Sequence, residues 1–449
     1  MSNSLRRAAS YRVSTPDAKI FLLLKLFLFL LLFQAGCAPY LVVSGGAVNQ
    51  AKLQEIKAGL ALLRGLEFKR DVPVEIESRE EMRKHLERDL EEEYGGEKLQ
   101  NLSLAYAKLG LFPEGLDLKK SLLDFYTAQV AAFYDPKTKK LVLPEDWAGG
   151  ILLGAVQFLA RRDIMGEMVL AHELTHALQD QHFSLEDRLR SSDNDDRTLA
   201  FHAVAEGDAT LSGFGYLFGI DDQSLDLVDH TVQESIQEAR SSLSDIPEAI
   251  IEELLFQYYG GVSFVSRVVR ERGWSGVNRL YSYPPLSTEQ VLHPEKYLDS
   301  PDPPTGIKLD DLSALFESDW REIENNVLGE LMVRVLFRRF LSPEEAKTIA
   351  NGWDGDRFVA FQRGKEVAFA WATAWDSAAD AKEFFDGYQK LLGKKYGGSG
   401  NDAARVHIEQ QGQRVLVIEG LEGAYVKEHV EKIWQRMELK KGAPPGGPS

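Results

Sequence analysis

Within the stretch HELTHALQDQH, His172 to His182, three histidines and a glutamate are of the types that hold a metal ion and activate water. His172 and His176 lie four positions apart, so on a helix they differ by about 40° around the axis and present two imidazoles to one ion. Glu173 is offset by about 100° from His172, beside such an ion and outside its ligand set, where its carboxylate can take a proton from water. The chemistry this predicts is metal-assisted hydrolysis, with Glu173 as general base and the ion polarising a carbonyl group.

Two residues compete for the third ligand position. His182 falls at the tenth position after His172, the spacing of HExxHxxGxxH, in which the chain leaves the helix at a glycine and turns the last histidine back. Here the glycine position holds Gln179, which resists the left-handed backbone such a turn needs. If the helix continues instead, His182 points about 100° away from the bisector of the other two. The alternative is Glu206, 30 residues after His176, in AEGDAT at the centre of a small-residue helix. Two His and one Glu leave the fourth position of a zinc ion open, as catalysis requires. His202, four residues before Glu206, shares its face. As a fourth ligand it would close the site into a structural one, and the expected role is that of a hydrogen-bonded neighbour. A hydrolytic site also wants a donor facing the developing oxyanion, for which His293, Tyr281 and Tyr283 are the candidates because their segment is irregular and polar. The rival for that segment is a loop that staples domains together.

HELTHALQDQHF, EGDA and PPLSTEQVLHPEKY together resemble the gluzincin-type zinc metallopeptidases, and among them a group of bacterial, often lipoprotein, metallopeptidases. The likeness covers roughly residues 120–300. It implies one zinc ion per chain on His172, His176 and Glu206, with Glu173 and His293 as catalytic residues and a peptide or protein as substrate. The spacing to Glu206 is longer than in the best-known gluzincins, and Thr210 stands where they carry an Asp. Asp208 is therefore the candidate for orienting a ligand, with His202 beside it.

The elements that must position these residues follow from periodicity. Residues 47–64 read as an amphipathic helix, VPVEIES as a strand, and EEMRKHLERDLEEEY as a charged helix. QVAAFYD, 129–135, and KKLVLP, 139–144, flank an Asp-Pro-Lys-Thr turn and predict a hairpin whose sheet edge can hold an extended peptide. The helix bearing HExxH starts at an N-cap, Asp163. A polar connector separates it from the Ala- and Gly-rich helix bearing Glu206. Helices continue over 228–273, with breaks expected near Asp245 to Pro247 and at Gly260-Gly261. SPDPPTG, 300–306, is the strongest boundary signal. Beyond it come a helical region over 327–350 and a ββα, ββα pattern, predicting helices on one face of an antiparallel sheet. The expected fold class is α+β: a mainly helical, zincin-like domain with a small sheet over 47–300, then a smaller α+β domain over 307–439. The tail 440–449 is expected to be disordered.

At the N-terminus, four basic residues precede IFLLLKLFLFLLLF and then QAGC, which describes an export signal over residues 1–36. The apolar run is about 14 residues, short of the roughly 20 a spanning helix needs. Cys37, the only cysteine, sits where a bacterial lipoprotein signal places its acylated residue, with residues 37–46 as tether; an uncleaved signal anchor is the rival reading. No disulfide is possible within the chain. Removing the first 36 residues, which carry five Lys and Arg and one Asp, takes the net charge from -17 to -21. Phosphate backbones would repel such a chain, so nucleic acid is not expected as a partner, and no nucleotide-binding loop stands out. The leading expectation is an exported, membrane-anchored zinc metallopeptidase of the cell envelope. The alternatives are a non-catalytic lipoprotein stapled by zinc, acting as a scaffold or binding module, and a metal-free fold with both histidines in its core.

Overall fold

The computed structural model describes residues 42–443 except 45–46, 130–131, 146–162, 191, 244–245, 310–311, 313–314, 317–318 and 398–402. The export signal, Cys37 and residues 444–449 lie outside the described residues. Among the described residues no helix is long and apolar enough to cross a membrane.

The chain enters through a two-residue ladder of β1 (Val43–Ser44) and β2 (Ala47–Val48), then α1 (Gln50–Arg64), capped by Asn49 and ended by Gly65 in the left-handed conformation. β3 (Val74–Glu77) leads into α2 (Arg79–Leu109), which Ser78 and Glu81 start with a reciprocal capping box. After α3 (Leu118–Gln129) come β4 (Phe133–Asp135) and β5 (Lys140–Pro144), the expected hairpin. β3 adds parallel to β5, so the sheet order is β3-β5-β4 and β4 is left at an edge.

Asp163 caps α4 (Ile164–Phe183) by accepting from Gly166 N–H, and its other carboxylate oxygen accepts from Val42 N–H at 3.2 Å. One side of α4 buries Leu170, Ala171, Leu174 and Ala177 against Leu53, Ile56 and Leu60 of α1 and Leu141 and Leu143 of β5. The other side faces α6 (Asp195–Phe218), reached through a short helix, α5 (Leu185–Arg190), where the sequence suggested only a polar connector. α7 (Asp222–Ser242) and α8 (Glu248–Leu280) follow. The expected break at Gly260-Gly261 does not occur; α8 runs through it and departs from helical geometry only at Gly273. The reason is packing: a Cβ on Gly261 would sit 2.1 Å from Ala203 O, and one on Gly207 would sit 2.3 Å from Gly261 C. These glycines let two helix backbones touch. YSYPPLSTEQVLHPEKY contains two short helices, α9 (Thr288–Leu292) and α10 (Glu295–Leu298).

Beyond residue 300 lie β6 (Thr305–Lys308), β7 (Arg321–Asn326), α11 (Gly329–Arg338), α12 (Pro343–Ala350), β8 (Trp353–Arg363), β9 (Glu366–Trp375), α13 (Ala378–Lys395), β10 (Val406–Gln411), β11 (Arg414–Glu419), α14 (Gly423–Arg436) and β12 (Glu438–Lys441). Five of these strands form an antiparallel sheet in the order β10-β11-β9-β8-β7. Its helices do not share one face, as the pattern had suggested. Phe358, Phe369 and Trp371 pack with Phe384 and Tyr388 of α13, whereas Val359, Ala370 and Ile418 pack with Val426, Val430 and Trp434 of α14. Both alternating sets on these strands are apolar, so both faces need cover. The first of these layers belongs to a core that runs from Leu99 to Val417, so the turn at 300–306 does not separate two independent cores. The expected disordered tail is corrected in part. Lys440 and Lys441 belong to β12, which pairs antiparallel with β6, and Lys441 Nζ bridges Asp302 and Asp354.

Candidate metal centre

α4 and α6 run side by side and bring His172, His176 and Glu206 together. His172 Nε2 and His176 Nε2 are 3.1 Å apart; Glu206 Oε2 is 3.1 Å from the first and Oε1 is 3.4 Å from the second. A tetrahedral zinc with bonds of about 2.0–2.1 Å has ligand-to-ligand edges of about 3.3 Å, so the two imidazole nitrogens, and each of them with its nearer carboxylate oxygen, are spaced as ligands of one ion are. Glu206 Oε2 is buried and makes no hydrogen bond of acceptable geometry despite lying close to His172. That is the state of a lone pair aimed at a cation. The donor set therefore fits zinc with one position open.

Electrostatics bind the trio without an ion. Burial alone would lower the His176 imidazole, but the Glu206 carboxylate and its hydrogen bond outweigh it and push the group up to about 10. Glu206 is held well below the usual carboxylate range: burial opposes ionisation, and His176 and His172 overcome it. His202 is not among the converging ligands, and burial keeps its imidazole below the ordinary value. His182 stays on α4, which continues to Phe183, and its Nε2 donates to Glu67 O at 2.8 Å. The structure thus turns it away from His172 and His176, as a continuous helix requires.

Glu173 is buried beside the centre. Its Oε2 accepts from Tyr134 N–H of edge strand β4 at 2.8 Å, and burial raises its carboxyl above the ordinary range. Of the expected oxyanion donors, none is brought to the three ligands. His293 Nε2 is 3.0 Å from Glu330 Oε1, on α11. Tyr283 lends its carbonyl to Tyr297 and is 42% exposed. Tyr281 is buried, stacked on Phe183, and donates to Asp208 Oδ2 at 2.7 Å.

The residue that sequence reasoning missed is Tyr258. Its ring stacks on His172 with centroids 6.4 Å apart, which sets its phenol in the field of the Glu206 carboxylate. The negative charge of Glu206 raises its phenol well above the ordinary value, so it is a donor at any working pH, although the residue is 39% exposed. The available signal was the Gly260-Gly261 pair, read as a break when it marks the contact that draws α8 onto α6.

A second acidic group, Glu289, Asp302 and Asp376, is occupied by the Lys296 ammonium, at 2.6, 3.3 and 2.7 Å respectively. It is an ion-pair network.

Comparison with known families touches the other half of the chain. A family described as "Domain of unknown function (DUF8575)" matches residues 316–429, which exclude every residue of the metal centre. No curated protein matches. No solved structure matches.

Proposed function

We propose that this chain is a zinc-dependent peptidase of zincin-like architecture, exported and held at a membrane through acylated Cys37. The observation that carries the reading is the convergence of His172, His176 and Glu206 at metal-ligand spacing with Glu173 buried beside it. Zinc bound there supplies Lewis-acid polarisation and makes water nucleophilic near neutral pH.

The chain's own residues do the rest. The Tyr134 N–H fixes one oxygen of Glu173, leaving Oε1 to take a proton from the attacking water and return it to the leaving amine. The raised affinity of Glu173 for a proton favours the first transfer. Tyr258 takes the oxyanion role expected of Tyr281, Tyr283 or His293, because among these four its ring is the one that stacks on a ligand histidine. The edge of β4 beside Glu173 supports binding of an extended peptide.

The test is hydrolysis of a quenched-fluorescent peptide library by the zinc-loaded protein and its Glu173→Gln variant. Glutamine still accepts the Tyr134 N–H and cannot act as the base, so zinc is retained and kcat falls by about 10²–10⁴. A variant with full activity would sink the proposal. Incorporation of labelled fatty acid, abolished by Cys37→Ser, checks the anchor.

A further inference from the structure

We propose that Gln179 is a positioning residue for the metal centre, transmitting the charge of Arg64 on α1 through Asp208 to the ring of His176. The proposal rests on the metal-site reading above and adds residues that the HExxH pattern does not name.

The polarity of the chain is forced by its chemistry. Arg64 is 1% exposed; its Nη2 lies 3.2 Å from Asp208 Oδ2 and 2.7 Å from Asn278 Oδ1, and its guanidinium covers the Trp274 ring. Asp208, also buried, accepts from Tyr281 Oη at 2.7 Å and Ser212 Oγ at 3.2 Å. Gln179 is fully buried, and one end of its amide faces two acceptors, Ala205 O at 3.0 Å and Asp208 Oδ2 at 3.1 Å. That end must be the NH2 group. The oxygen end is then fixed 2.9 Å from His176 Nδ1. An amide oxygen only accepts, so Nδ1 carries a proton, and in the neutral ring that a metal requires, the Nε2 lone pair is the one left facing Glu206 and His172. Gln179 therefore selects the tautomer that can ligate. The glutamine that disqualifies a glycine turn at this position is the residue that holds the second histidine.

Truncating Asp208 would strand the buried Arg64 charge and threatens folding, so the test uses Gln179. Zinc affinity is measured on the full protein by competition with a chromophoric chelator, for wild type, Gln179→Met, and the paired variant Gln179→Glu with Asp208→Asn. The paired variant keeps an acceptor for His176 and the net charge. Loss of the ligand-orienting partner weakens zinc binding about 10–100-fold in Gln179→Met, and the paired variant regains most of it. A merely structural role would not be rescued by exchanging the two polar groups. Independently, the His176 Nδ1–H proton exchanges slowly in the zinc-loaded wild type and fast in Gln179→Met. Gln179→Met binding zinc as tightly as wild type, a folded paired variant without recovery, or a proton still slow in Gln179→Met overturns the positioning chain and leaves the metal site standing. A wild type that binds no zinc overturns both.

Discussion

Replacing Gly207 with alanine pits helix propensity against the closeness of α6 and α8. In an isolated helix the change stabilises by up to about 1 kcal/mol. In this protein the new methyl would lie 2.3 Å from Gly261 C and O, whereas non-bonded carbons settle at about 3.5–4.0 Å. The two backbones must part by roughly 1.2–1.7 Å. Overpacking costs about 1–3 kcal/mol even where side chains can yield, and here the obstacle is backbone, so the clash wins. Glu206 precedes Gly207 on α6, and Tyr258, whose ring stacks on His172, lies three residues before Gly261 on α8, so the parting falls on the site between them. Metal sites tolerate displacements of about 0.2 Å, far less than the helices must move. The expected result is a zinc-free protein destabilised by about 1–3 kcal/mol in urea and, in chelator competition, zinc affinity reduced at least about tenfold by the displaced ligand. Unchanged stability together with unchanged affinity would refute the reasoning.

Other variants test separate parts of the same site. Metal analysis should find zinc lost in Glu206→Ala and kept in His202→Ala; the reverse would make the centre structural. Tyr258→Phe should lower kcat about 10²–10³-fold while zinc content stays at wild-type level, and unaltered kcat would remove Tyr258 from the mechanism. Burial raises the Asp196 carboxyl from 3.8 to about 8, so the folded chain keeps a proton there that the unfolded chain releases. Its contribution to stability therefore falls as pH rises through that window, by at most about 1.4 kcal/mol per pH unit. Asparagine can still accept from Thr288, so Asp196→Asn should flatten the slope of unfolding free energy between about pH 5 and pH 7. An unchanged slope would show that Asp196 does not carry it.

Much of the site was legible because it depends on spacing along single helices. His172, Glu173 and His176 obey helical periodicity, and the demotion of His182 followed from Gln179 in the glycine position and from where a continued helix points its side chain. Glu206 could be reached because small residues predict close helix contact, as Gly207 and Gly261 bear out. Arg64 and Tyr258 were beyond reach. Each meets the site through a crossing of helices distant in sequence, and neither carries a local pattern. His293 misled because its irregular segment resembled a site loop, whereas Glu330 on α11 claims its ring. The faces of the C-terminal sheet were misjudged because ββα order does not record which way each helix folds back.

If Cys37 is acylated as proposed, the hydrogen bond from Val42 to Asp163 makes the tether short. Val42 is the fifth residue after Cys37, at most about 17 Å of extended chain. Asp163 stands nine residues before His172, about 14 Å along α4. With Cys37 acylated, the metal centre works within roughly 30 Å of the lipid surface. That reach would then favour polypeptide held near the membrane over polypeptide free in the surrounding fluid.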